Sequence, residues 1–221
     1  LRNCKSVFKI YGGFQMESRT LNNLFLLNED YYYDGDLTIK GDVSIKNGNI
    51  TVSGVLAFDN PHASISIIGG NISADVLCSN STIIIRDGDI IVNELDTSSI
   101  DSDGNIEVTD FCSTGHIKCL NYLVSCDNFS DDITAMQDIY ILGSNESKDI
   151  EARDILIDGD NESKYIKATQ NIYISGSNDS LDIEAYNVKI NGNCCLNNSS
   201  IIAKSFECSG NIIDCSSMSI K

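Results

Sequence analysis

Three stretches of this chain can be written under one another: IYILGSNESKDIEAR from Ile139, ILIDGDNESKYIKAT from Ile155 and IYISGSNDSLDIEAY from Ile172, with a looser fourth copy, VKINGN, from Val188. The glycines of these copies fall at Gly143, Gly159, Gly176 and Gly192, intervals of 16, 17 and 16 residues, and Ala152, Ala168 and Ala185 keep nearly the same beat. A fixed period this short, built of alternating apolar residues, belongs to a solenoid in which each coil buries a face against the next.

Within a copy the local pattern is β. Ile155 and Ile157 lie two apart, as do Ile150 and Ala152, so each pair points to one side of an extended chain while Leu156 and Glu151 point to the other. Between them stands a polar tetrad, Ser144 to Ser147, repeated at Asp160 to Ser163 and Ser177 to Ser180. Its residue types tolerate turn geometry, and the reading is two short strands and two bends per coil.

The core of the repeat reads apolar-x-small/apolar-x-x-apolar-x-apolar, as in Ile150, Ala152, Ile155 and Ile157. The same spacing recurs at Ile50/Val52/Val55/Ala57, Ile117/Cys119/Tyr122/Val124, Ile183/Ala185/Val188/Ile190, Ile201/Ala203/Phe206/Cys208 and Ile213/Cys215/Met218/Ile220. Looser versions start at Ile72, Ile90, Ile106, Ile133 and Ile166, and only the step of 11 from Ile106 to Ile117 departs far from the period. The expectation is an all-β, single-stranded parallel β-helix over residues 36–221, of about ten coils of 16–18 residues. Pro61, the one proline, stands in a stretched interval and suggests a looped-out corner. Residues 1–35 read differently: Leu21, Leu24 and Phe25 have helical spacing, Ser18 or Thr20 suits a cap, and a solenoid needs its first rung covered. They are expected to form an N-terminal cap, helical or irregular, with Tyr31 to Tyr33 leading into the first rung.

Composition narrows the partners. A net charge of −17 argues against nucleic acid and against anionic lipid. No apolar run reaches the length of a membrane span. The chain starts at Leu1 without a signal-like segment, which leaves cytoplasm and cell surface both open, any export signal lying upstream.

Chemistry is sparse. Of the nine cysteines, Cys119, Cys208 and Cys215 occupy core positions, no pair has C-x-x-C spacing, and no histidine motif accompanies them. His62 and His116 read as turn residues. The close acidic pairs Asp87/Asp89, Asp101/Asp103 and Asp158/Asp160 have the form of a general acid and base or a cation site, but Asp-Gly is also ordinary turn chemistry, and the turn reading is preferred. No catalytic residue, cofactor or metal ligand is expected. Nine Asn-x-Ser/Thr sequons, at Asn49, Asn71, Asn80, Asn128, Asn145, Asn161, Asn178, Asn197 and Asn198, follow from turns made of Asn and Ser.

The run Ile150 to Gly159 resembles the core line of bactofilins, the polymer-forming bacterial cytoskeletal proteins. Ser102-Asp-Gly-Asn-Ile-Glu-Val108 resembles the repeat lines of bacterial β-solenoid adhesins. These resemblances cover roughly residues 36–220 as a style of repeat. They imply a right-handed helix and a non-catalytic role: a structural, self-associating scaffold or, alternatively, an exported adhesin or carbohydrate-binding solenoid, with a glycan-active enzyme in third place. The expected partners are a second copy of the chain and, in the alternative, carbohydrate. Self-association is expected through the C-terminal rung, around Phe206, Ile213, Met218 and Ile220, because unpaired strand edges above an apolar cross-section template further pairing.

Overall fold

The computed structural model describes residues 17–195, 200–213 and 217–220, and among them it contains strands and no helix. The chain divides into two compact units, Leu1–Asn105 and Ile106–Lys221. Each is a parallel β-solenoid, and the two hold about 11 turns between them.

The first unit contains β1 (Ser18–Leu21), β2 (Leu24–Leu27), β3 (Tyr31–Tyr33), β4 (Asp36–Ile39), β5 (Val43–Lys46), β6 (Ile50–Phe58), β7 (Ile65–Ile68), β8 (Ile72–Arg86) and β9 (Ile90–Ser102). Its turns stack so that like residues meet: Leu37, Leu56, Leu77 and Leu95 form one inward column, and Val43, Ile65, Ile83 and Ile100 another. Ile50, Ile72 and Ile90 form a third, and all of these side chains are buried. Three inward columns mean three runs of strand per turn. The Pro61 corner loops out between Phe58 and Ile65 as expected.

The helix expected around Leu21 to Phe25 does not form. β1 pairs with β4, β2 with β5 and β3 with β6, all parallel, so residues 18–33 make a rung of the solenoid. Leu24 is buried over Val43 while Phe25 points out, an alternation of period two. A ready-made strand edge at Val43–Lys46 offers every backbone group of this segment a partner, and that outweighs a helical spacing only a few residues long. Residues 1–16 of the expected cap lie outside the described residues.

The second unit contains β10 (Ile106–Cys119), β11 (Tyr122–Val124), β12 (Asp132–Ala135), β13 (Asp138–Ile141), β14 (Asn145–Ile157), β15 (Asn161–Ile174), β16 (Asn178–Ile190), β17 (Cys194–Cys195), β18 (Ser200–Cys208), β19 (Ile212–Ile213) and β20 (Ser217–Ile220). One turn shows the plan: Asp138–Ile141 is the first run, Asn145 to Ser147 the second and Asp149 to Ala152 the third. The tetrads expected as bends are therefore strands, with Asn145, Asn161 and Asn178 pointing inward. The step of 11 residues also resolves. Ile106 pairs with Tyr122 on the first run and Ile117 with Ile133 on the third, so the step lies within one turn and no coil is short.

Most of the expected core is confirmed, including Ile150, Ala152, Ile155, Ile157, Cys119 and Tyr122. The expected core departs in two places: in β6 Leu56 and Phe58 face inward, one residue on from the expected Val55 and Ala57, which are half-buried, and at the C-terminal end Phe206 and Cys208 are half-buried, Ile213 and Ile220 are exposed, and Cys215 lies outside the described residues.

Candidate functional site

The second run of the second unit concentrates the buried polar groups of the molecule. Its residues read Asn-Phe-Ser at 128–130, Asn-Glu-Ser at 145–147, Asn-Glu-Ser at 161–163 and Asn-Asp-Ser at 178–180, so Asn and Ser face inward and the middle residue outward. The amides then bond in series. Asn128 Nδ2 donates to Asn145 Oδ1 at 2.8 Å, Asn145 Nδ2 to Asn161 Oδ1 at 2.8 Å, and Asn161 Nδ2 to Asn178 Oδ1 at 2.7 Å. The second hydrogen of each donor goes to a serine one turn on: Ser147, Ser163 and Ser180, each at 3.0 Å. Each serine hydroxyl in turn donates to the asparagine two residues before it, at 2.8–2.9 Å. A buried amide is tolerable only when its donors and acceptor are met, and this arrangement meets them.

Sulfur stands at both ends of the ladder. At one end Tyr122 O–H donates to Asn128 Oδ1 at 2.8 Å, and the Cys112 thiol lies 2.8 Å from the same phenol oxygen. Burial pushes the Tyr122 hydroxyl well above its ordinary value, with Cys112 adding to the effect. At the other end Asn178 Nδ2 reaches Cys194 Sγ at 4.0 Å.

Outside this ladder, Glu146, Glu162 and Asp179 are in register on successive turns. They line a groove of about 490 Å³ together with Phe129, Lys148, Lys164 and Leu181. Lys148 pairs with Asp131 at 2.9 Å, and that hydrogen bond holds its amine above the ordinary value. Among the described residues no group of three or more His, Cys, Asp and Glu is placed to hold a metal ion.

Five of the six carboxylates in the acidic pairs bind a neighbouring turn. Asp89 accepts from the Asn105 backbone N–H and Asp160 from that of Ser177, at 2.7 and 2.6 Å. Asp103 accepts from the Asp87 N–H at 2.7 Å, Asp158 from the Ser175 hydroxyl at 2.8 Å, and Asp101 pairs with Arg86 at 2.9 Å. His116 sits 2.8 Å from Asp132. His62 lies at the proline corner, where its backbone N–H donates to Asn60.

No protein-family model, no curated protein and no solved structure matches this chain. The likeness to bactofilins and adhesins is one of repeat style, and the solenoid bears that style out.

The residues expected to carry self-association are spread over three runs. Phe206 lies on the first, opposite Val188; Ile213 on the second, opposite Cys195; and Met218 and Ile220 on the third, opposite Ile201 and Ala203. Of the sequons, Asn128, Asn145, Asn161 and Asn178 are buried, Asn71 and Asn80 are exposed, and Asn197 and Asn198 lie outside the described residues. The ladder itself was missed as a site. Its one signal was the strict recurrence of Asn and Ser two residues apart, the spacing of a strand face.

Proposed function

We propose that this chain is a non-catalytic structural β-solenoid, a scaffold that associates with copies of itself. The observation that carries this reading is where the repeated polar residues go: the amides and serines of the second run, and the aspartates of the corners, bond to the next turn. Chemistry repeated at the period of the coil serves the coil. Self-association is read through Phe206, Ile213, Met218 and Ile220, of which Ile213 and Ile220 are exposed. The test is size-exclusion chromatography with negative-stain microscopy. Oligomers that vanish in the Met218→Lys/Ile220→Lys variant, with circular dichroism unchanged, support the reading. A monomer, or oligomers that survive the change, would sink it.

A second reading, binding of carbohydrate, has one observation in its favour. Tyr140, Leu156 and Tyr173 stack in register on an outward column, with the amides of Asn171 and Asn187 beside it. Aromatic rings and amides are the groups that hold sugars. Retention on polysaccharide columns that is lost in Tyr140→Ala and Tyr173→Ala would favour this reading over the first.

A further inference from the structure

We infer that this chain folds out of reach of the asparagine-glycosylating machinery of the eukaryotic secretory lumen. The inference goes beyond the scaffold reading and does not rest on it. In that lumen a transferase recognises Asn-x-Ser/Thr on the entering, still extended chain. The asparagine Nδ2 displaces the lipid pyrophosphate from the anomeric carbon of an oligosaccharide donor. A C–N bond forms, the C–O bond to pyrophosphate breaks, and one amide proton is lost. Recognition precedes folding, so burial in the native state gives no protection.

Four such sequons, at Asn128, Asn145, Asn161 and Asn178, form the inner ladder, at 0 to 2% exposure. Both Nδ2 hydrogens of Asn128, Asn145 and Asn161 are used: one on the next asparagine and one on a serine of the next turn. Glycosylation removes one of those hydrogens and puts a sugar where neighbouring side chains stand. An oligosaccharide at any of these positions is incompatible with the stacked turns, since a buried donor set cannot lose a member and also make room for bulk.

The test is translation of the full chain behind a cleavable signal, with and without endoplasmic-reticulum microsomes, followed by endoglycosidase digestion, peptide mass spectrometry and limited proteolysis. Without microsomes the expected product is unmodified, and residues 106–195 resist protease. Inside microsomes the expected product carries sugar on at least one of Asn128, Asn145, Asn161 and Asn178, and that resistance is lost. Blocking donor synthesis with tunicamycin restores it. Three results overturn the inference: a glycan at a ladder position in a chain that still resists protease, a folded and unmodified ladder in the translocated chain, or a tunicamycin-treated chain that stays unfolded.

Discussion

Asn161 shows what one residue does in this architecture. It accepts from Asn145 Nδ2 and from its own Ser163, and it donates to Asn178 and Ser180. Asn161→Ala strands the amide of Asn145 and the hydroxyl of Ser163 in the interior, and each orphaned buried donor costs about 1–3 kcal/mol. The expected loss is about 3 kcal/mol in urea unfolding. Asn187→Ala, which removes an exposed Nδ2 bond to Asn171, should cost about 0.5 kcal/mol or less. A second residue contributes to the alkaline limit, beside Tyr122 and Cys126, whose protons burial also holds. Burial pushes the Cys119 thiol up from 9.0 to about 12, so the folded chain keeps a proton that the unfolded chain gives up above pH 9. The stability tied to this thiol is complete below pH 9 and is lost as pH rises towards 12, on the order of 4 kcal/mol across those three pH units. Denaturant midpoints at pH 8 and pH 11 sample most of it, and Cys119→Ala should reduce the difference while the part due to Tyr122 and Cys126 remains.

At the scale of the element, the corner and the run behave differently. Glycines stack at the corner after the first run of the second unit, and a Cβ on Gly176 would sit 2.5 Å from the Gly159 carbonyl oxygen. No side chain fits there, and Gly176→Ala should cost about 2 kcal/mol through overpacking, seen as a lower melting temperature. Along the run, sides decide. Ile157 is fully buried, and an aspartate in its place would leave an unpaired charge in an apolar interior, so Ile157→Asp should abolish the cooperative transition of the second unit. Glu151 faces outward, 3.8 Å from Lys167, and Glu151→Lys should shift stability by only about 0.5 kcal/mol. The strand pattern of this unit was legible because Ile150, Ala152, Ile155 and Ile157 alternate with polar neighbours. The second run was not, since Asn, Glu and Ser are all polar and the contrast that marks a strand face is missing. Residue type said turn, whereas the spacing of Asn and Ser, two apart in every copy, said strand. The rung at residues 18–33 was hidden for a related reason: its partner edge lies 18 or 19 residues on, and local spacing carries no trace of it.

For the molecule as a whole, stacking of turns accounts for the acidic composition at the corners, because a carboxylate there accepts a backbone N–H of the next turn. The fold should therefore need no cation, and dialysis against a chelator should leave both the β signal in circular dichroism and the melting temperature unchanged. A fall in either would show a bound ion that holds turns together. What the period could give was the class of fold and the spacing of the turns; it could not give the direction in which polar groups point, which depends on contacts between turns. That direction has a consequence of its own. In the second unit the amide groups of Asn128, Asn145, Asn161 and Asn178 all point their N–H ends the same way. Aligned amides sum, as peptide groups do along an α-helix. A protein with no helix among its described residues thus holds an electric dipole made from side chains, its negative end at Tyr122 and its positive end at the sulfur of Cys194.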